Sequence, residues 1–146
     1  MAERVSSELR RLVAARANNL CEYCLIAEGD TYFGCEVDHI ISVKHSGATE
    51  AENLAYACVS CNRYKGSDIA SISQQTGSLV RFYNPRADRW ADHFALDGAY
   101  IRPVSEIGEV TARILRFNDT EQILEREALT AIGRYPNASA KVRIES

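Results

Sequence analysis

The chain has 146 residues, 46% of them hydrophobic and 25% charged, a balance that fits a small globular protein and excludes a low-complexity chain. No apolar run approaches the ~20 residues that span a bilayer, and Met1-Ala2-Glu3-Arg4-Val5 lacks the apolar stretch of a signal peptide. A cytoplasmic protein with no membrane partner is expected, in a compartment that keeps thiols reduced. The formal net charge of −3 argues against wholesale phosphate binding, so any nucleic-acid contact needs a local basic face, for which Arg4, Arg10, Arg11, Arg16, Arg81, Arg86 and Arg89 are the material.

Residues 3–17 are predicted as an amphipathic helix, because Val5, Leu9, Leu12 and Val13 recur at helical spacing. Asn18-Asn19 supplies a stop, since Asn tolerates the left-handed conformation. Cys21 to Cys24 forms a tight knuckle, and residues 25–34 read as a loop around Gly29-Asp30. Cys35 to Ser42 has strand composition, Lys44 to Glu52 reads as a loop, and Leu54 to Ala57 pairs back as a short hairpin arm. Ser60 is expected to cap a helix running to about Ile69, with Asn62 and Lys65 on one face. Beyond Ser71 come a loop at 74–78, a strand from Leu79 to Tyr83, a turn at Asn84-Pro85-Arg86 and a short aromatic-rich stretch to Phe94. Asp97-Gly98 predicts a hairpin turn, 105–116 and 119–132 predict helices, and 136–146 reads as a frayed tail.

Four of the five cysteines fall into two matched pairs, Cys21/Cys24 and Cys58/Cys61. In a reducing compartment such pairs suit one tetrahedral Zn²⁺ better than disulfides. The separation, residues 25–57, exceeds the ~15–20 residues of an ordinary zinc ribbon. A hairpin-sized insertion must therefore lie between the knuckles. Cys35, alone in a strand, reads as a small core residue.

That insertion holds Asp38-His39 and Asn53, with Asn62 just beyond it. Phosphodiester hydrolysis needs an activated water, charge stabilisation on the phosphoryl oxygens and help for the departing oxygen. A neutral imidazole such as His39 can supply the first as general base. A divalent ion on hard oxygen ligands such as Asp38 and Asn62 supplies the other two. Strict strand alternation sends Asp38 and His39 to opposite faces, so a joint site must sit at a strand end, or over a bend, against the following helix. Glu36 shares a strand face with Asp38 and either tunes that site or is simply exposed. His93 reads as a packed or surface residue.

In order, Cys-x-x-Cys, Asp38-His39-Ile40, Asn53-Leu54, Cys58-x-x-Cys61-Asn62 and Lys65-Gly66 resemble the HNH endonucleases, most specifically over residues 21–66. A weaker likeness runs through Arg10-Arg11 and through Phe82 to Phe94. The resemblance implies an α+β architecture: a ββα-metal core with a four-cysteine structural zinc site and an N-terminal helix over residues 1–70, and a C-terminal helical extension over 71–146. It implies a metal-dependent endonuclease acting on DNA, with His39 as general base. Asp38 and Asn62 would hold Mg²⁺ or another divalent ion, and Asn53 would hold the hairpin and help orient the histidine. Lys65, Arg63, Arg86 and His45 are the expected nucleic-acid contacts. RNA offers the same phosphate chemistry, and a non-catalytic zinc module that binds nucleic acid or protein is the alternative. Loop 43–49 departs from the family pattern, with no proline and one glycine where members often carry proline and paired glycines.

Overall fold

The computed structural model describes residues 4–146; the first residue of the predicted N-terminal helix lies outside them. That helix, α1, spans Ser7–Arg16. The Ser6 hydroxyl accepts from Leu9 N at 3.1 Å, satisfying one of the free amides of the first turn. Val13 and Ala17 are buried with Leu54 and Tyr56, and Leu9 packs against them. Leu12, expected in the apolar stripe, is about half exposed, so the buried stripe is narrower than the spacing suggested. Asn18 and Asn19 both have φ of +56°, the left-handed conformation that stops the helix.

Strand β1, Cys35–His39, pairs antiparallel with β2, Leu54–Cys58, in a register that sets Cys35 opposite Cys58 and His39 opposite Leu54. β1 is shorter than predicted because the chain turns at residues 40–53. There Asn53 donates from Nδ2 to the carbonyls of Ile41 (2.9 Å) and Ala48 (2.8 Å), and its Oδ1 accepts from Ile41 N. A Cβ on Gly47 would collide with the Ile41 carbonyl, so this crossing admits only glycine.

Helix α2, Val59–Lys65, follows β2 without a linker. Its N-cap is Cys58, whose Sγ accepts from Cys61 N at 3.5 Å, and Ser60 lies inside the first turn. Expecting Ser60 as the cap overlooked that a thiolate can take the same role. α2 also ends earlier than predicted, at Lys65, because residues 70–72 are drawn into β3 (Ala70–Ile72), paired with β4 (Leu79–Arg81). A third antiparallel pair, β5 (Phe94–Asp97) with β6 (Tyr100–Pro103), turns at Gly98 with φ of +61°. Helices α3 (Glu106–Ile114) and α4 (Thr120–Ala131) fall within the predicted ranges.

The principal apolar cluster draws on residues from Leu20 to Ala140. It joins Leu20, Tyr23, Leu25 and Ile26 to Tyr83, Trp90, Phe94, Ile101, Leu115 and Phe117. Trp90 Nε1 donates to the Tyr23 carbonyl at 2.8 Å, fastening the C-terminal half to the first knuckle.

Residues 136–146 are not a frayed tail. Ala138–Glu145 forms helix α5, Ala140 is fully buried, and the preceding Tyr135 donates its hydroxyl to the Cys24 carbonyl at 2.8 Å. Weak apolar periodicity hid this helix, because polar contacts hold much of it. Arg143 Nη2 donates to the Arg16 carbonyl at 3.1 Å, and Nη1 lies 3.5 Å from buried Glu22. The Glu22 carboxylate also accepts from Tyr56 N (2.9 Å) and from the Arg86 guanidinium.

Removing one member of a buried ion cluster leaves the others desolvated and unpaired, which costs about 3–5 kcal/mol. Glu22→Ala is therefore expected to lower the urea midpoint by that equivalent. An unchanged midpoint would mean that Glu22 does not anchor Arg86 and Arg143.

Candidate active site

The cysteine pairs meet. The Sγ atoms of Cys21, Cys24, Cys58 and Cys61 all lie within 4.8 Å of one another, and all four residues are buried. Four thiolates on a tetrahedral zinc at ~2.3 Å would stand about 3.8 Å apart, and Cys24 and Cys58 Sγ are 3.8 Å apart. In each knuckle the second cysteine's amide approaches the first's sulfur, Cys24 N to Cys21 Sγ at 3.4 Å and Cys61 N to Cys58 Sγ at 3.5 Å. Such bonds favour thiolate over thiol. The donor set suits zinc, and four thiolates would leave it no open position, the arrangement of a structural site. Cys35 lies outside the quartet and packs beside the core.

The second constellation forms where β1 ends against α2. Asp38 is buried and faces inward. Its Oδ2 accepts from the Tyr23 hydroxyl at 2.8 Å, and its Oδ1 pairs with Lys65 Nζ at 3.2 Å. Burial raises the Asp38 carboxyl above the usual aspartate range, with Lys65 and Tyr23 pulling the other way. Burial and the Asp38 charge push the Tyr23 phenol well above its usual value. Lys65 Nζ also donates to the His39 carbonyl at 2.9 Å, fixing the end of the strand.

His39, the last residue of β1, is half-buried, and its Nε2 lies 2.9 Å from Thr49 Oγ1 in the connecting loop. Asn62, in the first turns of α2, donates from Nδ2 to Glu36 Oε2 at 2.6 Å, which leaves its Oδ1 as an acceptor. Glu36 thus bears on the site through Asn62.

Asp38, His39 and Asn62 line one open cleft of about 230 Å³, with Ser42, Gly66 and Ser67 on its rim. The strand-end placement resolves the alternation problem, since both residues border the cleft where β1 gives way to the turn. A larger cleft, about 550 Å³ beside Tyr64 and Arg116, contains none of these residues. Asn53 does not line this cleft; its hydrogen bonds brace the loop behind it.

The four expected nucleic-acid contacts divide. His45 and Arg63 are exposed. Lys65 and Arg86 are not presented to a ligand. Lys65 is buried under Asp38, and Arg86 binds Glu22 and the Leu54 carbonyl. An isolated carboxylate inside the protein recruits a cation, and the sequence alone did not reveal which carboxylates those were. His93 packs away from the cleft, with Nδ1 2.7 Å from Ser105 Oγ. Sequence reasoning missed Tyr23 and Thr49. Tyr23 stood only as filler between two cysteines, and Thr49 sits in the loop that departs from the family pattern.

A hairpin, a following helix, a four-thiolate cluster and an Asp-His-Asn cleft define a zinc-supported ββα site. Residues 21–68 match the family model described as HNH endonuclease. No curated protein and no solved structure matches the chain.

Two outcomes are expected. Elemental analysis should find one zinc per chain, and Cys58→Ser should lose it together with about 10 °C or more of thermal midpoint. Equal zinc content in the variant would remove the four-thiolate site. Lys65→Met leaves Asp38 buried without a counterion, and a loss of about 3–5 kcal/mol is expected in denaturant titration.

Proposed function

We propose that this protein is an endonuclease that hydrolyses phosphodiester bonds in DNA. The reading rests on one observation: Asp38, His39 and Asn62, distant in sequence or opposed by strand alternation, line the same cleft. His39 acts as general base and takes a proton from water as the oxygen attacks phosphorus. A new P–O bond forms, the bond to the 3′ oxygen breaks, the departing oxygen takes a proton from solvent water, and a 5′-phosphate and a 3′-hydroxyl result. Each Asp38 oxygen accepts one hydrogen bond and keeps further lone-pair capacity, and Asn62 Oδ1 is an unused acceptor among the described residues, so both can serve as hard ligands. A divalent ion held there supplies Lewis-acid stabilisation of charge on the phosphoryl and leaving oxygens.

Asn53 serves as a brace for the hairpin loop. Exposed Lys44, His45 and Arg63 stand on elements bordering the cleft. They offer the local positive charge that a net charge of −3 does not supply globally.

With Mg²⁺ or Mn²⁺ the purified protein should nick or linearise supercoiled plasmid. His39→Ala should be slower by about 10²- to 10⁴-fold, with an unchanged thermal midpoint. Parallel reactions on single-stranded RNA define the substrate. Tight DNA binding with trace cleavage equal in both proteins would reassign the domain as a non-catalytic binding module.

A further inference from the structure

A neutral imidazole has one N–H and one lone pair, and a base must present the lone pair to the water. In His39, Nε2 meets the Thr49 hydroxyl at 2.9 Å, and among the described residues no other side chain is hydrogen-bonded to the ring. We propose that Thr49 is the positioning residue that holds His39 in the Nε2–H tautomer, leaving Nδ1 as the atom that receives the water proton. This rests on the nuclease reading above.

The two possible directions of the bond differ in consequence. If Nε2–H donates to Oγ1, the Nδ1 lone pair is free for general-base work. If the hydroxyl donates to Nε2, Nδ1 carries the hydrogen and neither nitrogen is available to the water. Only the first is competent, and a threonine oxygen accepts as readily as it donates.

The surroundings show why Thr49 can hold this position. Asn53 grips both of its neighbours: Nδ2 donates to the Ala48 carbonyl at 2.8 Å, and the Asn53 amide donates to the Glu50 carbonyl at 2.9 Å. The loop is drawn in further by Gly47 N donating to the Ser42 carbonyl at 3.0 Å. On the other side, Lys65 fixes the His39 backbone. The ring torsions are the freedom that remains, and Thr49 removes it. Asn53 therefore reaches His39 through Thr49, by way of the braced loop, without touching the imidazole.

The test has a spectroscopic and a kinetic arm, both on the full zinc-loaded chain. Long-range ¹H–¹⁵N correlation of neutral imidazole, without added divalent ion, reports which ring nitrogen carries hydrogen; His39→Ala assigns the signal among the three histidines. The parent and Thr49→Ser should show the Nε2–H tautomer, and the isosteric Thr49→Val should show a mixture or the reverse. In single-turnover plasmid cleavage, Thr49→Val should be slower by about 10- to 100-fold, with DNA affinity and thermal midpoint unchanged and with Thr49→Ser near the parent. A parent ring protonated at Nδ1, or a tautomer ratio and cleavage rate unmoved by Thr49→Val, overturns the proposal. If the parent itself does not cleave, the nuclease reading fails while the spectra still decide the Thr49–His39 bond.

Discussion

The constraint on which this structure depends is the meeting of four sulfur atoms. Cys58 is at once the last residue of β2, the N-cap of α2 and a member of the thiol quartet. Bringing Cys21 and Cys24 to it fixes the first knuckle on the strand–helix junction. Tyr23, between those cysteines, is thereby delivered to Asp38. Structural zinc binds such sites with an apparent ~10–16 kcal/mol, which matches or exceeds the ~5–15 kcal/mol net stability of an ordinary domain. With zinc on these sulfurs, folding of the core and loading of the metal would be one equilibrium, and the hairpin carrying Asp38 and His39 would draw its rigidity from that ion.

Buried charge is the second organising theme. Asp38 with Lys65, and Glu22 with Arg86 and Arg143, place ion pairs at interior positions, where the desolvation of both charges offsets much of their attraction. Their value lies in direction. Lys65 binds both the Asp38 carboxylate and the His39 carbonyl, so one cation sets the relative position of two consecutive residues that a strand alone would point apart. Glu22 gathers side chains from the Asn84–Arg86 turn and from α5 onto the amide of Tyr56 in β2. Specificity of arrangement, more than stability, is what these groups contribute.

Much of the core was legible in the sequence because its signals are local. Two Cys-x-x-Cys pairs, an adjacent Asp38-His39 and Asn62 behind the second pair are short-range patterns, and the structure gathers the four cysteines at one point and sets Asp38, His39 and Asn62 along one cleft, although the predicted strand ran on to Ser42. What stayed hidden depends on contacts between distant residues. Nothing in Ala138–Glu145 marks it as a docked helix, since Glu22 and Arg16, the partners of its Arg143, lie at the other end of the chain. Arg86 and Lys65 looked like phosphate ligands because cations in a motif region usually face solvent. Only the fold shows each beside a buried carboxylate. Thr49 gave no signal, because a hydroxyl in a loop acquires a role only when an imidazole is placed against it.

The docking of α5 carries a kinetic consequence. The Tyr135–Cys24 and Arg143–Glu22 contacts close loops of 111 and 121 residues, among the most non-local pairings a chain of this length can make. Folding slows as contact order rises, because loop-closure entropy is lost before distant contacts compensate it. The β1–β2 hairpin and each knuckle form over short separations, whereas the first knuckle gains its Tyr135 and Arg143 partners only when the far end of the chain arrives. The contacts that cover Glu22 and the Cys24 carbonyl are therefore among the costliest in loop-closure entropy that this fold makes.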